Sequence, residues 1–114
     1  MFQPHRYSRT AEFLEPFAQA LSQAELVLIA PLYAAGEAPI PGVSSAALAK
    51  AVQDLAPLSR VEVATSLDEL ARQVADASIE GDLVLAMGAG DVNSLWERLH
   101  RLPVFGDACL PLAA

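Results

Sequence analysis

Cysteine, basic residues, histidine and long apolar runs are all scarce in this 114-residue chain, and each scarcity closes off a class of function. The single Cys109 can form neither an internal disulfide nor a cysteine metal cluster, which fits a reducing, cytoplasmic setting. Seven Lys and Arg stand against fourteen Asp and Glu, for a net charge of -7 and a pI near 4.5. That balance excludes the broad basic face needed for nucleic acid or an anionic membrane. The longest apolar stretch, Leu26 to Ala35, is too short to span a bilayer, and no basic-then-apolar leader opens the chain, so neither a membrane segment nor export is expected. His5 and His100 are the only imidazoles. No GxxxxGK followed by Ser or Thr, no CxxC or HExxH, and no Ser-His-Asp pattern can be written on the sequence, so a self-sufficient enzyme is not expected.

What is present is enough apolar material, 54% of residues, for one core. The runs 25–30 and 82–87 are short and continuously apolar, each introduced by an acid and ended by Pro or Gly, and they predict parallel strands buried on both faces. Residues 60–64 alternate more and predict a strand nearer the sheet edge. Between them lie helical patterns. Phe13, Leu14, Phe17, Ala18 and Leu21 form a stripe after Ser8 or Thr10 as N-cap, with Pro16 predicting a kink or a late start. A second helix is expected from about Ser44 to Leu55, and a third follows the Ser66–Glu69 capping box. The fourth runs from Asp91, as N-cap, to about Arg101, with Trp96 as a core anchor. Alternating strands and helices define an α/β domain with a parallel sheet, residues 1–4 forming at most a very short strand. The apolar tail 103–114 has no assignment.

In such a sheet ligands bind beyond the carboxyl ends of the strands, which predicts that loops 3–9, 31–44 and 87–91 meet at one rim. The first carries His5, Arg6 and Arg9, a positive focus on an acidic chain. If the helix begins early, the two guanidiniums share a face suited to gripping a carboxylate or phosphate; the alternative is a solvated basic helix start. The second loop, Tyr33 to Gly42, is built of small residues, Gly and Pro, with Tyr33 and Glu37 as polar handles. The third, Gly88-Ala89-Gly90-Asp91, is not a dinucleotide fingerprint, because Asn93 stands where a third Gly is needed. A tight backbone turn is the reading it favours.

The runs 2–10, 33–42 and 88–91, in this order and spacing, resemble the C-terminal domain of the Mur ligases over nearly the whole chain to about residue 100. The resemblance implies a Rossmann-like three-layer α/β domain with a mainly parallel sheet, here over residues 1–102, whose first strand is truncated. It also implies part of an ATP-dependent ligase of peptidoglycan precursor synthesis, joining L-alanine to UDP-N-acetylmuramate with ATP and magnesium. His5, Arg6 and Arg9 would line the L-alanine site, Tyr33, Ala35, Gly36 and Glu37 would shape the same pocket, and Gly88 and Gly90 would let the backbone approach substrate. No catalytic or metal-binding residue is carried over. The family's DYxHHP segment, tied to ATP, has no counterpart here, so the fragment alone is expected to be inactive and to bind no nucleotide. Where the family places an Asp before the second-loop Tyr, this chain has Pro31-Leu32-Tyr33. A free-standing module that binds a small anion without catalysis is the alternative. Loss of the first strand is expected to leave the fragment unstable or self-associating.

Overall fold

The computed structural model describes residues 1–103; the tail 104–114, with Cys109, lies outside the described residues. Its central strand β1, Leu26–Ile29, pairs in parallel with β2, Arg60–Val63, from Leu26 opposite Arg60 to Ile29 opposite Val63. Residues 1–4 form no strand of their own. Phe2 bridges Ile29 on one side and Met87 on the other, so the chain start lies between β1 and the 83–87 segment.

Alternation along β1 divides the core into two. Leu28, with Ala30 just beyond the strand, packs against Leu70, Ala71 and Val74 of α4 (Leu67–Ala77) and Leu95 and Leu99 of α5 (Leu95–His100). Val27 and Ile29 face the other way, onto Ala18 and Leu21 of α2 (Leu14–Leu21) and Leu48 and Val52 of α3 (Ser45–Leu55). A sheet covered by helices on both faces is the three-layer α/β architecture expected, with about 1.5–3 kcal/mol stabilisation from each fully buried Leu or Val. Met1 joins the first cluster and Phe2 the second, continuing the alternation of a strand across its neighbour.

Two helix starts, those of α3 and α4, follow local chemistry. Ser44 Oγ accepts from the Ala47 amide at 3.0 Å, and Ser66 Oγ from the Glu69 amide at 3.0 Å. The return arm of the predicted box lands one residue early, with Glu69 accepting from the Thr65 amide and hydroxyl. Ser45 donates to the Ala30 carbonyl at 2.7 Å and pins α3 to the end of β1. At Pro16 the outcome is a break rather than a kink: α1, Tyr7–Glu12, ends at Phe13 and α2 starts at Leu14. Pro16 thereby falls in a first helical turn, where its missing N–H has no intrahelical partner to lose.

Two further expectations are corrected. Residues 82–87 make only the single bridge at Met87, and Leu83 and Leu85 are 76% and 55% exposed, so this is not a strand buried on both faces. An extended segment needs a neighbour over its length, and Met1 to Gln3 supply one only for its last residues. The last helix begins as a 3₁₀ turn, Asp91–Ser94, with Gly90 rather than Asp91 in the cap position. Leu95 and Leu99 are fully buried there, while Trp96 is half-buried against them.

Candidate functional site

The three loops do meet at the carboxyl end of β1. His5 bridges Tyr33 in parallel fashion, and their rings stack with centroids 5.6 Å apart and planes 8° from parallel. His5 Nδ1 is buried and lacks a hydrogen-bond partner among the described residues. Arg6 is held at both ends of its peptide unit. Its N–H donates to the Tyr33 carbonyl at 2.7 Å, and its own carbonyl accepts from the Thr10 amide at 3.1 Å and the Thr10 hydroxyl at 2.8 Å.

These bonds fix Arg6 at φ 65°, ψ 140°, a conformation that strains any side-chain-bearing residue by about 1–3 kcal/mol. Such strain persists only where its surroundings over-determine it. Arg6 therefore precedes the helix as its cap residue, and the expected shared helical face of Arg6 and Arg9 does not form; Arg9 alone lies on α1. Both side chains are exposed, and among the described residues neither is ion-paired within 4 Å.

Neither Ser8 nor Thr10 caps α1. The cap comes from the second loop: Glu37 accepts from the Ser8 amide at 3.2 Å and the Ser8 hydroxyl at 2.5 Å. A turn closed by the Glu37 amide on the Ala34 carbonyl brings it there, with Ala35 at φ 52° and Gly36 at φ 85°. Two successive positive φ values explain a small residue followed by glycine at these positions. Glu37 is thus a clasp between loop and helix rather than a free polar handle.

The Ser8 hydroxyl bond, followed by the Ser8 amide bond, holds the Glu37 carboxyl below its ordinary pKa. A depressed folded-state pKa contributes stability that is present above the unfolded-state value and lost as pH falls through the folded one. Acidification is therefore expected to release the Ser8 amide, read as a pH-dependent shift of its NMR resonance below the ordinary carboxylate range. Glu37→Gln should abolish that titration; its survival would assign it to another carboxylate.

Gln3, which sequence reasoning did not single out, ties the loops together. It is buried, its Nε2 donates to Asp91 Oδ1 at 2.6 Å and the Pro31 carbonyl at 3.4 Å, and its Oε1 accepts from the Val92 amide at 3.1 Å. The glycines of the third loop make room for this knot. A Cβ on Gly90 would lie 2.6 Å from Tyr33 Cγ and 2.8 Å from Gln3 Oε1, and one on Gly88 2.9 Å from Gln3 Cβ. The close approach expected at these two glycines is therefore made by protein groups. The available signal was a polar residue two before the cationic cluster, in a stretch otherwise continuing a strand. A cavity of about 320 Å³ adjoins the knot, lined by Gln3, Tyr33 and Asp91 and walled by the Asp68–Arg98 ion pair.

A three-layer α/β domain with helices on both faces of a parallel sheet, and with Arg6, Arg9 and the His5–Tyr33 stack gathered on its strand-end rim, belongs to the Rossmann-like class of folds. The family model described as "Mur ligase, glutamate ligase domain" matches residues 2–90, and the chain belongs to the Mur ligase family. It is similar to the UDP-N-acetylmuramate–L-alanine ligase of Synechococcus sp. (strain CC9311), with 53% identity over 115 residues, covering 100% of this chain and 24% of the relative. The ligase of the same name from Synechococcus sp. (strain CC9605) is 58% identical over 99 residues, 87% of this chain and 21% of its own length. That from Prochlorococcus marinus (strain MIT 9303) is 54% identical over 102 residues, 90% and 21% respectively. The chain thus spans between a fifth and a quarter of these relatives.

Proposed function

We propose that this chain is the amino-acid-binding C-terminal domain of an ATP-dependent ligase that joins L-alanine to UDP-N-acetylmuramate in the cytoplasmic synthesis of peptidoglycan precursors. The observation that carries the reading is Arg6, clamped at positive φ and left without an ion-pair partner among the described residues beside Arg9 and the His5–Tyr33 stack. An arginine fork meets a carboxylate bidentately, and a charge-assisted bond of this kind contributes about 1.5–3 kcal/mol. Arg6 and Arg9 hold the carboxylate of L-alanine. His5 and Tyr33 form a wall of the pocket, and the turn through Ala35 and Gly36 limits its size. Gly88 and Gly90 act on the substrate through Tyr33 and Gln3.

The sequence has no phosphate-binding GxxxxGK loop, and the described residues bring no three His, Cys, Asp or Glu side chains together as a metal set. As the family resemblance implies, we assign ATP, magnesium and UDP-N-acetylmuramate to the longer ligase, and to this chain the binding and orienting of the amino acid.

The test is a chimera in which this chain replaces the matching quarter of the Synechococcus CC9311 ligase. Steady-state kinetics should show ligation of L-alanine, and Arg6→Ala should raise the KM for L-alanine by about tenfold or more with the KM for ATP little changed. An unchanged KM for L-alanine in an active, folded chimera would sink the assigned role.

A further inference from the structure

One nitrogen of His5 is used neither by the fold nor by the proposed binding. The peptide groups on both sides of His5 are bonded to Tyr33: the Tyr33 amide donates to the Pro4 carbonyl at 2.8 Å, and the Arg6 N–H donates to the Tyr33 carbonyl at 2.7 Å. The imidazole itself lies on the Tyr33 ring, with planes 8° from parallel. Backbone and ring are thus held by the same neighbour, and Tyr33 is backed in turn by Gly90, where an added Cβ would come within 2.6 Å of its Cγ. In this frame Nδ1 is enclosed and has no hydrogen-bond partner among the described residues. Nε2 is not enclosed in this way, on a side chain that is only half-buried, so it is the nitrogen that a ligand can reach.

The two nitrogens of a neutral imidazole share one proton, and the partner of one decides the state of the other. A proton on Nδ1 would be a buried N–H with no acceptor, the costly arrangement for a polar group shut away from water. A proton on Nε2 faces open space, where a ligand can accept it. We propose that His5 is fixed as its Nε2–H tautomer and serves the rim as a hydrogen-bond donor to the carboxylate of the bound amino acid, not as a proton acceptor. To take up a proton at Nε2, the ring would first have to hold one on Nδ1.

This inference rests on the amino-acid reading of the rim and gives it a direction. Arg6 and Arg9 carry donors only, so with the Nε2–H of His5 the three side chains present N–H groups alone. A zwitterion meets such a wall with its carboxylate. Its amine finds no acceptor on these side chains and is left facing away, free for bond formation.

The tautomer can be read without ligand or activity. Long-range 1H–15N correlation spectra of the 15N-labelled 114-residue chain, recorded above the titration range of imidazole, should show His5 Nδ1 as a bare acceptor nitrogen and Nε2 as a protonated one. His100 is the one other imidazole in the sequence, and His100→Gln assigns the signals. The reverse pattern, or averaging of the two nitrogens, would overturn the proposal. In the CC9311 chimera, His5→Phe keeps a ring against Tyr33 and should raise the KM for L-alanine about fivefold or more. His5→Gln, whose Nε2 donates from an equivalent distance along the side chain, should recover about half of that loss or more. A fall in kcat of about a hundredfold with KM unchanged is the mark of a proton acceptor and would overturn the donor role. A KM that His5→Phe leaves unmoved while Arg6→Ala raises it would overturn that role and leave the ligase reading standing. A KM moved by neither would overturn both.

Discussion

Alanine at Gly90 is expected to lower stability by about 2–3 kcal/mol and to move Tyr33 off His5. The added Cβ meets Tyr33 Cγ at 2.6 Å, Gln3 Oε1 at 2.8 Å and Tyr33 Cβ at 2.9 Å, where carbon atoms in contact sit about 3.5–4.0 Å apart. None of the three can step aside cheaply. Tyr33 Cβ and Cγ are the root of the side chain, and the flanking peptide groups are bonded to Pro4 and Arg6. Gln3 Oε1 cannot retreat without dropping the Val92 amide. The strain therefore passes into the His5–Tyr33 stack and the Arg6 clamp. Thermal unfolding should show a fall of roughly 10 °C, and ring-current shifts of His5 should collapse. Retention of both would mean that the third loop moves as a unit and that glycine there is not required by packing.

Gln3→Leu should be nearly as costly although it preserves volume. The substitution leaves the Val92 amide without its acceptor and removes the donor used by Asp91 and the Pro31 carbonyl. A buried polar group left unpaired costs about 1–3 kcal/mol, against a net worth of about 1 kcal/mol for an ordinary hydrogen bond. The burial of Gln3 and Val92 places this variant toward the upper end of that range. A drop in melting temperature on the order of 10 °C is expected, with faster exchange of the Val92 amide as its local signature. A loss below about 2 °C with Val92 still protected would show that another acceptor replaces Gln3.

How far these features could be read from residues depends on the range of the interaction behind each. Ser44 and Ser66 cap the helices they precede because a cap bond spans only three residues, and β1 shows itself by an apolar run that both helical layers need. The meeting of three loops at one rim follows from the sheet's topology. What sequence reasoning missed is set by contacts across many residues. The α1 cap arrives from Glu37, twenty-nine positions away, so local signals pointed to Ser8 and Thr10 instead. The apolar pattern at 82–87 is that of a strand, yet pairing depends on a neighbour that reaches only its last residues. Gly88 and Gly90 drew attention as glycines next to a helix start, but the groups filling their space, Gln3 and Tyr33, belong to the other two loops.

Phe2 and Gln3 bond to residues 28, 87, 91 and 92, and these contacts carry a kinetic consequence. Loops that close over eighty-odd residues cost the most chain entropy and form late, after the local helices and the β1–β2 pair. The rim is therefore expected to assemble at the end of folding, when residues 83–92 dock against the chain start. Until then Arg6 has no Tyr33 carbonyl fixed in place to clamp it, and a partly folded molecule has cations but no site. Under the proposed function, binding of L-alanine is then expected to report completion of the whole fold and to select the fully folded chain.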